Sequence, residues 1–156
     1  MCGFFGLQSY ELDTSEKIVA SRNAIKILNS RGPDSNDTVL DDNNNLVFCH
    51  NRLSILDLSP TGSQPMKSYS GNLLIIFNGE IYNHTSIREE LKNSNNFINW
   101  RGTSDTETLI QAVEIWGLEK TLQKINGMFS FAIWNKVSKN LYLARDRFGE
   151  KPLYYG

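Results

Sequence analysis

Leu73-Leu74-Ile75-Ile76-Phe77-Asn78-Gly79 sets five apolar side chains in a row ahead of a turn-prone pair. A strand with one wet face alternates apolar and polar residues, so an unbroken run of this length describes a strand covered on both faces. It predicts a central strand over Leu73 to Phe77, closed by Asn78-Gly79. Downstream, Met128 to Trp134 and Asn140 to Ala144 flank Lys136 to Lys139 and read as a hairpin, again apolar on both faces. Upstream, Thr38 to Leu40 and Leu46 to Leu53 read as a second hairpin around an Asn-rich turn, and Cys2 to Ser9 reads as a first strand that ties down the N-terminus. Antiparallel strands apolar on both sides need cover above and below. The pattern predicts an α+β fold with two sheets sandwiched by helices.

The helices announce themselves by their caps. Asp13 with Glu16 forms a capping box, after which Ile18, Ile25 and Leu28 recur at helical spacing until Arg31-Gly32-Pro33, giving a helix from Thr14 to Asn29. His84 to Lys92 reads as a short helix. Ser104 with Glu107 is a second capping box ahead of Leu109, Ala112, Val113 and Trp116, and Gly117 ends that helix. Leu118 to Ile125 is a further short helix. Leu58 to Asn72, with two prolines and two glycines, is a loop, as are Asp41 to Asn45 and Asn93 to Asn96, where Asn and Asp tolerate left-handed backbone.

Composition narrows the class. The 156 residues are 40% hydrophobic, 11% aromatic and 21% charged, ordinary globular values that exclude disordered, collagen-like and coiled-coil chains. At this length one core can bury roughly 70% of the unfolded surface, so no disulfide or metal staple is required. Sixteen basic against 17 acidic residues give a net charge of −1, which argues against partners bound by neutralising phosphate, such as nucleic acid or a lipid surface. The longest apolar run falls far short of the ~20 residues that span a bilayer. Met1 to Tyr10 lacks the basic and apolar regions of a secretory signal, so a cytoplasmic location is expected. Cys2 and Cys49 belong to no Cys-x-x-Cys or Cys/His cluster, so reduced thiols and no metal site are expected.

Three features could carry chemistry. Cys2 reads either as a small buried hydrophobe or, if Met1 is removed, as a residue holding a thiol nucleophile and a free α-amine of pKa about 7.7 to 8.0 that serves as its base. Asn78-Gly79 reads either as a turn or as an oxyanion hole, with the Asn78 amide and the Gly79 backbone N–H aimed at a tetrahedral oxygen. Arg52 and Asp105 are either solvated charges or a pair gripping the α-carboxylate and α-ammonium of an amino acid. His50 and His84 read as structural or loop residues, Cys49 as inert, Arg31-Gly32-Pro33-Asp34 as a helix stop, and Arg145-Asp146-Arg147 as a strand end with local ion pairing.

Met1-Cys2-Gly3-Phe4-Phe5-Gly6, Arg31-Gly32-Pro33-Asp34, His50 to Asp57, Asn78-Gly79-Glu80-Ile81-Tyr82-Asn83, Ser104-Asp105-Thr106-Glu107, Gly127 to Ala132 and Arg145 to Tyr155 follow one another in the order found in a known family. Together they resemble the N-terminal glutaminase domain of glutamine-hydrolysing asparagine synthetases, class II amidotransferases. The resemblance implies the N-terminal nucleophile hydrolase fold, a four-layer αββα sandwich. It implies Cys2 as nucleophile, Asn78 and Gly79 as oxyanion hole, Arg52 as carboxylate clamp, backbone contacts from Ile55 and Leu56, and Glu80 and Asp105 at the amino end of glutamine. The family continues into the rest of the glutaminase domain and an ATP-pyrophosphatase synthetase domain whose Ser-Gly-Gly-Leu-Asp-Ser loop this sequence lacks. Residues 1–156 are therefore expected to be a glutamine amidotransferase type-2 domain, incomplete at the C-terminus. It would need no cofactor of its own, ATP and magnesium belonging to the absent synthetase domain. An unpaired sheet edge would invite association, a homodimer included. The expected function is glutamine hydrolysis that supplies ammonia for asparagine synthesis. The alternatives are an amidotransferase acting on a sugar or peptide, and a catalytically dead glutamine-binding fragment.

Overall fold

The computed structural model describes residues 2–41, 43, 45–93 and 98–156. The readings that touch Met1, Asp42, Asn44 and Ser94 to Asn96 lie outside the described residues. Among those described, the chain runs β1 (Gly3–Gln8), α1 (Thr14–Leu28), β2 (Ser35–Asp41), β3 (Leu46–Arg52), a 3-10 turn (Pro60–Gly62), β4 (Met66–Lys67), β5 (Leu73–Ile81), α2 (His84–Asn93), α3 (Asp105–Trp116), α4 (Leu118–Lys124), β6 (Gly127–Asn135) and β7 (Asn140–Arg145). Two antiparallel sheets result, in the orders β1-β3-β2 and β4-β5-β6-β7.

The side-chain alternation of β5 divides two cores. Ile75, Phe77 and Ile81 pack with Ile87 and Leu91 of α2 and Leu109 and Ile110 of α3, while Leu74 and Ile76 meet Leu46, Phe48, Ala132 and Trp134 between the sheets. Each of these large side chains contributes roughly 1.5 to 3 kcal/mol relative to exposure. The outer face of β3 is covered by α1, where the Cys49 thiol donates to Ser21 O at 3.8 Å and the Asn51 amide donates to Ile25 O at 3.2 Å. Helix, sheet, sheet and helix thus stack as the αββα sandwich that the resemblance implied. Among the described residues no helix is long and apolar enough to cross a membrane.

Several local expectations change. β5 does not stop at Asn78-Gly79 but runs on to Ile81, because Asn78 and Gly79 remain paired with Ser130 and Phe129 of β6. The pair is therefore strand, not turn. The face that α1 turns inward carries Lys17 and Ser21 as its buried residues, Ile18 being only half-buried; the Lys17 ammonium reaches out to Asn45 Oδ1 at 3.1 Å. Asp13 and Glu16 do form a complete capping box. Ser104 caps α3 through the Glu107 N–H, but the Glu107 carboxylate is taken by the N–H groups of Arg101 and Gly102, so the second box is half made. The long loop contains β4 and the 3-10 turn. Asn45 has φ 52°, the left-handed backbone expected of the Asn-rich turn.

Candidate active site

The open edge of β5 builds one half of the site. In an antiparallel ladder successive residues turn their N–H and C=O to alternate neighbours. Tyr82 N–H donates to Asn126 O at 2.8 Å in the register of β6, so even-numbered residues of β5 bond to β6 and odd-numbered ones face the other edge. β4 covers that edge only at Leu74 and Ile75. Beyond it, side chains serve the odd positions singly. Phe77 N–H donates to Gln64 Oε1 at 2.6 Å, Phe77 O accepts from His50 Nε2 at 3.1 Å, and Ile81 N–H donates to Asp105 Oδ2 at 2.9 Å. Gly79 lies between them, and no side chain among the described residues takes its N–H. A side chain here would strike the Met128 carbonyl and the Phe129 backbone, so glycine is what lets β5 stay against β6 while this N–H faces outward.

The other half comes from the facing sheet. Gly3 pairs with Asn51, and the same register carried one step further sets Cys2 beside Arg52. The Cys2 thiol donates to Leu53 O at 3.6 Å and accepts from Leu53 N–H at 3.4 Å. Burial pushes its pKa up, opposed by that backbone hydrogen bond and the Arg52 charge, so the sulfur rests as a thiol. Arg31 fixes the residue's backbone by donating from Nε to Cys2 O at 3.1 Å. Gly32 lets this segment touch β3, since a Cβ there would overlap the Asn51 carbonyl. Asp34 accepts from Ser54 N–H at 2.7 Å. The segment read from sequence as a helix stop is therefore also a clamp on the N-terminal strand.

Cys2, Arg52, Ile55, Leu56, Asn78, Gly79, Glu80 and Asp105 all line one cavity of about 80 Å³ between these halves. Asn78 is 5% exposed, and its side chain has no hydrogen-bond partner among the described residues. The Arg52 guanidinium is held by Ser59 O at 2.8 Å from Nη1 and by Asp57 O from Nη2, and it forms no ion pair among the described residues. Asp105 is a buried carboxylate whose pKa is raised by burial, against the N–H groups of Ile81 and Thr106. Ile55 and Leu56 are 66% and 43% exposed, so they border the cavity at its mouth. Among the described residues no group of three or more His, Cys, Asp or Glu could hold a metal ion.

Sequence reasoning missed several residues that build this wall. Asp57 accepts from Ser59 and Thr61 in its own loop and from Thr103 ahead of α3; although burial opposes it, these donors hold its carboxyl well below the usual range. Gln64 joins β5 to Thr106 of α3. A Ser, Thr or Asp cluster such as Asp57-Leu58-Ser59 signals a self-bonded turn, but nothing local to Gln64 marks it. His50 is a bridge between sheets, Cys49 an inert thiol whose pKa burial pushes up to about 11. Asp146 forms no ion pair among the described residues; it accepts from the N–H groups of Phe129, Phe148, Glu150 and Lys151, which corrects the expected local pairing in Arg145-Asp146-Arg147.

Comparison with known proteins adds the family. The glutamine amidotransferase domain matches over residues 1–156. Asparagine synthetase (glutamine-hydrolyzing) 1 of Bacillus subtilis (strain 168) is 40% identical over 99% of this chain and 24% of its own length. Amidase chry2 of Gibberella zeae is 33% identical over 92% of this chain and 21% of its own. Among solved structures, the glutamine phosphoribosylpyrophosphate amidotransferase of B. subtilis complexed with ADP and GMP superposes with a TM-score of 0.50 at 19% identity, covering 64% of this chain and 23% of that one. That likeness supports the fold. The chain spans about a quarter of the length of the curated relatives it matches.

Proposed function

The chain belongs to the glutamine amidotransferase domain family, and on that premise we propose that its site hydrolyses glutamine to glutamate and ammonia, the ammonia serving asparagine synthesis from aspartate. The observation that carries the reading is the cavity itself: the Cys2 thiol stands on one sheet, and on the other stand the Asn78 amide and the Gly79 N–H, neither with a side-chain partner among the described residues. With burial raising its pKa, the thiol needs a base, and the α-amine freed by removal of Met1 would take its proton directly or through one water. Sulfur then bonds to the glutamine side-chain carbonyl carbon. The oxyanion accepts from Asn78 and Gly79, the carbon–nitrogen bond breaks as the nitrogen takes the thiol's proton from the α-amine, and ammonia departs. Water, its proton taken by the α-amine, attacks the thioester, the carbon–sulfur bond breaks as the sulfur receives that proton, and glutamate leaves. Arg52 would hold the α-carboxylate, Glu80 and Asp105 the α-ammonium, and Ile55 and Leu56 would contact the glutamine through their own backbone.

The glutaminase step draws on no cofactor. ATP and magnesium, with the ligase step of amino-acid biosynthesis, belong to a synthetase domain or subunit that this reading requires as partner, in the cytoplasm. A second copy pairing at an open sheet edge is compatible with it. A second reading keeps the glutaminase and changes the acceptor to a sugar or peptide. The test is the intact mass of the purified chain before and after exposure to diazo-oxo-norleucine, a glutamine-analogue electrophile. Loss of Met1 and a single adduct on Cys2, with glutamate released from glutamine, is the expected result. A processed chain that takes up no adduct would make this a glutamine-binding fragment without catalysis.

A further inference from the structure

We propose that His50 is a positioning residue for the oxyanion donors, holding the peptide ahead of Asn78 and Gly79 at a set distance from the sheet that carries Cys2. The proposal rests on the glutaminase reading above. His50 follows Leu46 and Phe48 at intervals of two along β3, so its ring enters the layer between the sheets, where it is 1% exposed. The sheets meet there through apolar side chains, and apolar attraction is non-directional: it draws the sheets together without choosing a register between them. A hydrogen bond chooses one, because distance and angle are both restricted.

The atom that His50 holds is well placed for this. The Phe77 carbonyl belongs to the peptide that joins Phe77 to Asn78, and the two polar groups of Phe77 are taken by His50 at 3.1 Å and Gln64 at 2.6 Å. Fixing that peptide fixes the direction in which the Asn78 side chain leaves the strand and the angle at which the next N–H, of Gly79, meets the cavity. A carbonyl can only accept, so Nε2 carries the proton and Nδ1 is a bare acceptor; Nδ1 is buried with no hydrogen-bond partner among the described residues. An unpartnered buried nitrogen is a burden that a space-filling leucine or methionine would avoid. Burial also keeps the ring neutral at pH 7, with its pKa lowered to about 4, so it offers one donor in one direction. His50 does not line the cavity around Cys2 and acts through Phe77.

Two polar replacements separate this role from packing. The Gln amide nitrogen reaches about where Nε2 lies, whereas the Asn amide reaches only about as far as Nδ1. In the processed chain, His50→Asn should lower the kcat of glutamine hydrolysis by about 10- to 100-fold, the cost of a small misplacement at a reacting centre. KM should change little, and Cys2 alkylation by iodoacetamide, which uses no oxyanion hole, should keep its parental rate. His50→Gln should recover most of the lost kcat. Equal kcat in the two variants, a loss confined to KM, or a parallel loss of iodoacetamide reactivity would each overturn the proposal while leaving the glutaminase reading intact. A parent that forms no glutamate from glutamine would overturn both.

Discussion

The space between the two sheets has an apolar end and a polar end, built from the same strands. At one end Leu46 and Phe48 of β3 face Leu74 and Ile76 of β5 and Ala132 and Trp134 of β6; at the other, the next inward positions of β3 and β5 are His50, Arg52 and Asn78. Both ends are buried, yet they are held differently. The apolar end loses free energy if atoms are removed and tolerates small rearrangement. The polar end is a set of directed bonds, His50 to Phe77 O, Gln64 to Phe77 N–H and Asp105 to Ile81 N–H, and between them the Gly79 N–H has no side-chain acceptor among the described residues. The candidate cavity is a core layer whose last row holds hydrogen-bonding instead of apolar residues.

The contrast can be broken at either end. Phe48→Ala, at the apolar end, should destabilise the fold by about 3 to 5 kcal/mol, read as a lower urea midpoint. The surviving folded fraction should still alkylate Cys2 at the parental rate, and selective loss of that reactivity would show the two ends to be one unit. Asn78→Ala, at the polar end, should do the reverse: kcat for glutamine falls by about 10²- to 10³-fold while KM and the urea midpoint hold. A variant as fast as the parent would remove Asn78 from the oxyanion hole.

The smallest effect sharpens the comparison through pH. His50 has its pKa lowered from 6.5 to about 4 by burial, assisted by the Arg52 charge, so the unfolded chain binds a proton that the folded chain refuses between those values. The stability it supports is complete above pH 6.5 and falls as pH drops toward 4, by up to about 3 kcal/mol. Urea midpoints of the parent should decline over pH 6.5 to 4.5, and His50→Gln should flatten that slope; an unchanged slope would mean that other groups carry it.

Legibility followed range. The apolar run Leu73 to Phe77 declared a strand covered on both faces because burial needs no partner of particular identity. The Asp13 to Glu16 box declared its helix start because both halves lie within one turn. The second box failed where a distant competitor intervened: Arg101 N–H and Gly102 N–H claimed the Glu107 carboxylate. Asn78-Gly79 looked like a turn because local propensity cannot see that β6 pairs through it. The candidate residues Cys2, Arg52, Asn78 and Asp105 were nameable from residue type and family resemblance. His50, Gln64 and Arg31 were not assigned to the site, since the atoms that give them roles are backbone carbonyls and amides of residues 27, 13 and 29 positions away.

What the sequence determined by itself was which segments must be covered, where helices begin, and which side chains have the chemistry of a nucleophile, a carboxylate grip and an oxyanion donor. These are properties of composition and short-range order. Only the tertiary structure decided that β4 ends early on the edge of β5, that side chains from elsewhere occupy the exposed backbone groups of Phe77 and Ile81, and that Gly79, its N–H without a side-chain partner among the described residues, lines the same cavity as Cys2. That outcome depends on distances between segments far apart in the chain, which no local pattern encodes.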